Sequence, residues 1–219
     1  MKPTIGVLGG TGHEGSKLAF RWARAGYPVI IGSRDIERAK EVARDISAAL
    51  PQASVFGADN GRTAADCTIA VLTVPHAAQL KVLESVCSGL QGKILVDVTV
   101  PLVPPKVSRV QLPSEHSAVM GAQALLGETV KVVSAFQNVS SHLLEDDSDE
   151  IDCDVLVCGD DQEARSAVID LVDALGMRGV HGGSLANSVA AEALTSVLIF
   201  INRFYKLKKA GIRITGLSG

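Results

Sequence analysis

The chain is poor in several residue types, and each shortage excludes something. Aromatic residues make up 4% of its 219 positions, too few for the stacking platforms that hold single-stranded nucleic acid. Charge of neither sign dominates: 21 basic and 24 acidic residues leave a formal net charge of −3, which argues against a nucleic-acid partner. The cysteines, Cys67, Cys87, Cys153 and Cys158, lack C-x-x-C or metal-site spacing. They are expected as buried free thiols in a reducing, cytoplasmic compartment, with no metal centre and no disulfide frame. Uninterrupted apolar runs such as 69–74 and 197–201 fall short of a membrane span, and no signal peptide precedes the first strand. The acidic stretch 145–150 reads as a solvated surface loop.

What is present begins at residue 4. An apolar run, Ile5 to Leu8, leads directly into Gly10-x-Gly12-x-x-Gly15 and then into a helical pattern from Lys17 to Ala25. In this strand–turn–helix setting the glycines have separate duties. Gly10 permits the turn, Gly12 lets the backbone approach a pyrophosphate, and Gly15 lets the helix pack close to the strand, so that free N–H groups at the helix N-terminus face phosphate. The second strand ends in Gly32-Ser33-Arg34, where an NAD-specific domain carries a carboxylate for the ribose 2′-hydroxyl. Ser33 and Arg34 suit a 2′-phosphate instead, and Arg38, one turn into the next helix, points at the same group. NADP(H) is the expected nucleotide. Asp35 competes with this reading unless it serves as a helix N-terminal residue favoured by the dipole.

Short Val/Ile-rich segments at 4–9, 28–32, 53–57, 68–74, 93–98 and 130–135 alternate with helical patterns at 13–26, 35–50, 61–66, 76–90 and 114–127. Alternation of this kind predicts a parallel sheet with right-handed crossovers, binding its ligand outside the carboxyl ends of the strands. The loops 9–15, 33–38, 73–79, 99–105 and 136–142 should therefore surround one cleft. Farther on, strands at 154–158 and 177–181, a helix at 161–175 and a long helix at 185–209 are expected. The last is apolar on nearly every side from Ala190 to Phe204, so it is expected to lie under the cleft, at a homodimer interface, or both. The fold class is α/β: a Rossmann-type parallel sheet in a domain of residues 1–136, with a small C-terminal α/β extension, 137–219, ending in the long apolar helix.

The motifs Gly9-Gly-Thr-Gly-x-x-Gly15, Gly32-Ser-Arg34, Ala70-Val-Leu-Thr-Val-Pro75 and Pro101-Leu-Val-Pro104 are followed, in order, by Ser114-Glu-x-Ser-Ala118, Val132-Val-Ser-Ala135, Val157-Cys-Gly-Asp-Asp161 and Leu185-x-Asn-Ser188. Over essentially its full length the chain resembles the coenzyme F420-dependent NADP oxidoreductases. The resemblance implies hydride transfer between NADP(H) and a 5-deazaflavin, coenzyme F420, held between the Rossmann domain and the C-terminal domain. It implies Thr11, Gly12, His13 and Glu14 at the pyrophosphate, and Ser33, Arg34 and Arg38 at the 2′-phosphate. Val74 and Pro75, following Thr73 at a strand mouth, would lie near a ribose. Val103 and the loop 137–141, with Asn138 and Ser141, would lie at the plane of hydride transfer. Asn138 suits a carboxamide or a pyrimidine-like ring edge as well as a loop cap. Small residues at Ala135 and Gly182-Gly183 would admit the rings. The chain departs from the family pattern at Gln137-Asn-Val-Ser140 and at Val189.

Hydride transfer between two activated rings requires no protein nucleophile and no metal. Two other readings stay open: an NADP-dependent reductase of a small imine, ketone or hydroxy acid, needing His76 or Lys106 as its acid, and a non-catalytic NADP(H)-binding module. Tyr205-x-x-x-Lys209 spells a reductase dyad, but it lies far from the parallel sheet and is read as coincidence.

Overall fold

The protein is described by a computed structural model over residues 2–145 and 148–217. Its elements, in chain order, are β1 (Ile5–Leu8), α1 (His13–Arg24), β2 (Val29–Ser33), α2 (Ile36–Ala49), β3 (Val55–Asp59), α3 (Asn60–Asp66), β4 (Ile69–Leu72), α4 (His76–Leu90), β5 (Ile94–Asp97), α5 (Ala118–Leu126), β6 (Lys131–Ser134), β7 (Asp154–Gly159), α6 (Gln162–Asp173), β8 (Arg178–Gly183), a 3-10 turn (Leu185–Asn187) and α7 (Ser188–Phe204). One sheet runs in the order β3-β2-β1-β4-β5-β6-β7-β8. The first six strands are parallel, as expected; β7 joins β6 antiparallel, and β8 runs parallel to β7. The C-terminal strands thus extend the parallel sheet itself.

The strands alternate between two cores. Val7, Val71, Val96 and Val133 face the side that also holds Leu18, Trp22 and Leu171. Their neighbours Leu8, Leu72, Leu95 and Val132 face Leu83, Leu90, Val119 and Leu126 on the other. Helices cover both faces, which is why these strands read as continuous apolar runs rather than as alternating patterns. Trp22 anchors the first layer: its indole donates to Leu171 O at 3.0 Å, and its ring meets Phe136 edge-on at 5.9 Å.

Side-chain caps fix several helix starts. Asp35 accepts from Glu37 N and Arg38 N, Asp59 from Arg62 N, Ser117 from Met120 N and Asp161 from Ala164 N. Each satisfies amides that no helical carbonyl reaches. The Ser117 cap explains why the fifth helix starts at 118 and not at the expected 114. The last helix stops at Phe204, short of 209, because Lys206 takes φ 54° and Leu207 N turns back to Asn202 O at 2.8 Å. Lys209 therefore lies outside any helix and Tyr205 is exposed, so the Tyr-x-x-x-Lys spacing has no structural meaning.

One acid decides how α7 sits. Glu192, 1% exposed, accepts from Ser117 Oγ at 2.7 Å, Ala118 N at 2.8 Å and Val119 N at 3.2 Å. It is a second cap on α5, delivered from 74 residues away, while Ser188 Oγ meets Ser117 Oγ at 2.7 Å. Burial pushes the Glu192 carboxyl above its ordinary range, and these hydrogen bonds oppose the rise. Taken with the preceding turn, Leu185–Phe204 spans 20 residues, with a mean hydropathy of 1.4 over an 18-residue window, long and apolar enough by composition alone to cross a bilayer. The expectation of no such segment rested on uninterrupted runs. In the folded chain this helix is instead fastened to α5.

All four cysteines are free; Cys67, Cys153 and Cys158 are buried, whereas Cys87 is only half-buried, a departure from expectation. Burial pushes the Cys158 thiol up to about 11, so it resists ionisation. Of the acidic stretch, Glu145 and 148–150 are exposed, and Asp146 and Asp147 lie outside the described residues. Glu145 pairs with Lys17 and His142, which hold its carboxyl down at about 2.

Candidate functional site

The carboxyl ends of β1, β4, β5 and β6 open into one cleft, a cavity of about 340 Å³ closed on its far side by Thr195 of α7. Its floor begins at the glycine turn. Gly9 holds φ 78°, where a side chain is strained, and Gly10 N is bonded to Val7 O and Gly32 O. At Gly15 an added Cβ would collide with Thr73 Oγ1 and lie 3.0 Å from Gly10 Cα, so this glycine sets the helix–strand distance. At Gly12 a Cβ would meet only Gly9 O at 3.3 Å and Thr73 O at 3.9 Å. Its bareness is therefore not demanded by packing; it leaves room above the turn.

Helix α1 begins at this turn with no side-chain cap, and so does α4, behind Pro75. Both N-termini border the cleft, with Gly12, His13 and Glu14 from one and Thr73, Val74, Pro75 and His76 around the other. Uncapped helix starts present amides and a positive dipole end, a natural cradle for phosphate. Glu14 stands among these amides, and burial pushes its carboxyl up to about 7, so near neutrality much of it is uncharged and repels a nearby anion less.

The neighbouring rim carries the second strand end. Ser33 is buried; its Oγ lies 3.4 Å from Thr11 Oγ1 and accepts from Asp35 N at 3.1 Å. The Asp35 carboxylate caps α2, which removes it as a competitor at the rim. Arg34 and Arg38 are exposed, and among the described residues neither guanidinium is engaged by a carboxylate. This corner is therefore cationic, with a hydroxyl beside it.

On the opposite wall, Asp97 ends β5 fully buried. Its carboxylate accepts from Gln79 Nε2 at 2.6 Å and Thr99 N at 2.9 Å, and burial raises its pKa while those bonds and His76 oppose the rise. The Asp97 carbonyl accepts from Gln137 Nε2 at 2.7 Å, and Thr195 Oγ1 donates to Gln137 O at 2.6 Å. Thr99 Oγ1 and Gln137 Oε1 are buried with no well-formed hydrogen-bond partner, and both residues line the cleft.

Several expected contacts fall elsewhere. Asn138 is 1% exposed; its amide donates to Asp154 O at 2.7 Å and its Oδ1 accepts from Leu156 N at 3.4 Å. It ties the loop to β7 and is not among the residues that line the cleft. Ala135 is sealed in the core, and Phe136 and Gln137 take the cleft-facing places. Gly182 and Gly183 sit on the outer strand β8, Gly182 against Cys158. Val103 is exposed on the loop beyond Leu102, and Ser141 stands past the cleft-lining Val139. Lys106 is exposed on the same outer loop, so of the two candidate acids only His76 reaches the cleft. Conversely, Asn60 was not anticipated: its Oδ1 accepts from Gly9 N at 3.3 Å and steadies the glycine turn. Its only trace in the sequence is the turn-like Asp59-Asn60-Gly61. Among the described residues no cluster of metal-ligating side chains forms.

Such a turn, sheet order and cleft define a dinucleotide-binding protein of the Rossmann class. Residues 4–101 match the family described as NADP oxidoreductase, coenzyme F420-dependent. The F420-dependent NADP reductase of Methanocaldococcus jannaschii is 41% identical over 221 residues, covering 97% of this chain and 98% of that protein. The one from Methanothermobacter marburgensis is 38% identical, covering 97% and 98%. A structure from Arthrobacter sp. FB24, provisionally described as an F420-dependent NADP-reductase, superposes with a TM-score of 0.81 at 27% identity, over 97% of this chain and 99% of that one. The chain belongs to the F420-dependent NADP oxidoreductases.

The rim yields a direct test. Replacing both Arg34 and Arg38 by Ala should weaken NADPH binding by about 3 kcal/mol in sum, since hydrogen bonds to charged groups contribute about 1.5–3 kcal/mol each. NADH binding should barely change. Titration of both nucleotides checks this, and equal losses would remove the 2′-phosphate from this corner.

Proposed function

We infer that this chain transfers a hydride between NADP(H) and coenzyme F420. The observation that carries the reading is the cleft between two uncapped helix N-termini and α7, in a chain whose relatives of near-equal length are F420-dependent NADP reductases. The amides from Thr11 to Glu14 would hold the pyrophosphate, with Gly12 leaving room for it and Gly10 and Gly15 shaping the turn. Ser33, Arg34 and Arg38 would hold the 2′-phosphate. Thr73, Val74 and Pro75 would border a ribose. When bound, the nicotinamide and the deazaflavin exchange the hydride, and one proton comes from or returns to solvent.

The chain's own part is binding, orientation and exclusion of water. Val98, Val100, Leu102, Phe136 and Val139 make much of the wall apolar, which suits flat rings and excludes solvent. His76 and Glu14 both line the wall, and hydride exchange between two rings requires neither as an acid. In this division residues 1–136 carry NADP(H), and 137–219 supply Thr195 and the loop that completes the second cofactor's side.

The same reading makes the chain a cytoplasmic homodimer free of membrane and nucleic acid. Val197, Phe200, Phe204 and Tyr205 are all more than 40% exposed on one end of α7, with Phe200 and Phe204 stacked at 5.8 Å. A contiguous apolar face of this kind favours a partner. Light scattering should give the dimer mass, and a monomer at high concentration would leave α7 with its intramolecular role only.

The activity is tested with NADPH deuterated on one or the other C4 face, mixed with oxidised F420. Label from one face only should appear in the reduced deazaflavin by mass spectrometry. Label lost to solvent, or no deazaflavin reduction alongside turnover of a small imine, would overturn the reading.

A further inference from the structure

Gln137 is 3% exposed and lines the cleft, yet only half of its side-chain amide is engaged. Nε2 donates to the Asp97 carbonyl at 2.7 Å. A carbonyl accepts and cannot donate, so this bond fixes which end of the amide is which. The main chain is held too, since Gln137 O accepts from Thr195 Oγ1 at 2.6 Å. What remains is Oε1, a buried acceptor of fixed orientation with no partner. An unsatisfied buried acceptor costs about 1–3 kcal/mol. Such a group calls for a partner from outside the chain, and a ligand in the cleft would supply one.

We infer that Gln137 Oε1 is a recognition point in the cleft, accepting a hydrogen bond from the N–H of an amide or imide edge on the bound ring. This deepens the function proposed above and rests on it. An N–H beside a C=O occurs both in the nicotinamide carboxamide and in the pyrimidinedione ring of a 5-deazaflavin. Gln137 is thereby a specificity-determining residue, selecting rings that carry a donor at their edge. The Asp97 backbone carbonyl and Thr195 act as positioning groups that aim it.

The test changes the ligand before it changes the protein, so folding does not confuse it. Wild-type protein is titrated with NADP+ and with its 3-acetylpyridine analogue, which lacks the amide N–H, and separately with a 5-deazaflavin and its N3-methyl derivative. The same four titrations are made on Gln137→Met, whose fold is checked by circular dichroism. In one of the two pairs the analogue should bind about tenfold more weakly to wild type, the loss of one hydrogen bond to a buried acceptor. In Gln137→Met that difference should collapse to less than about twofold. Whichever pair shows the effect identifies the ring that Gln137 reads. If neither analogue is weakened, or the weakening persists in folded Gln137→Met, Oε1 recognises nothing. Hydride transfer by the wild type is measured beside the titrations. Transfer without a Gln137 effect sinks only this inference, whereas a Gln137 effect on NADP+ without transfer sinks only the activity.

Discussion

The structure depends on a carboxylate buried where two helices meet. Glu192 lies in the second turn of a largely apolar helix, and the start of α5 supplies the donors it needs, the Ala118 and Val119 amides and the Ser117 hydroxyl. A charge brought this far from water is tolerated only with such compensation. Each partner would be left unsatisfied alone, so the seating of α7 on the nucleotide-binding sheet is specific rather than a generic apolar contact. Asp97 lies near enough to add to the upward pressure on the Glu192 pKa, which makes this end of the sheet a low-dielectric region with two acids held by directed hydrogen bonds.

The cleft inherits its shape from that seating. Thr195 follows Glu192 by one helical turn on the same face and closes the cleft through Gln137; Gln137 is braced in turn by the end of β5. Cofactor chemistry of this kind asks for two rings held close with water kept out. A wall fixed at both ends by hydrogen bonds meets that demand better than a loop held by apolar contacts alone. Across the cleft, the glycine-turn side is built by the opposite device: the α1 and α4 amides go uncapped, while α2, α3, α5 and α6 are each capped by an acidic or hydroxyl side chain.

The glycine turn and the strand ends were legible because their signals are local. Gly10, Gly12 and Gly15 act within one turn, Ser33 and Arg34 end one strand, and short continuous apolar runs mark the strands to within a few residues. The ring side was not legible, for identifiable reasons. Ala135 is expected at the rings for its small size and Asn138 for its amide, but Phe136 takes φ 73°, and Ala135 and Phe136 enter the same core. After that break parity no longer says which neighbour faces the cleft, and Gln137 does so in place of Asn138. The reversal of β7 depends on the path of residues 135–153, which no short-range pattern encodes. Nothing near Glu192 in the sequence points to its partners, which lie 73 to 75 residues away.

Hydrogen exchange at the first turn of α5 tests the central claim most directly, comparing wild type with Glu192→Ala. If Glu192 fastens α7 to the sheet, the Ala118 and Val119 amides should lose protection together with α7, while β1 and β2 keep theirs, and the protein should lose about 3 kcal/mol of stability, the scale of removing charge-assisted hydrogen bonds to a buried group. Unchanged protection at Ala118, Val119 and α7 would show that apolar packing alone holds the helix, and the account of how the cleft is closed would fail.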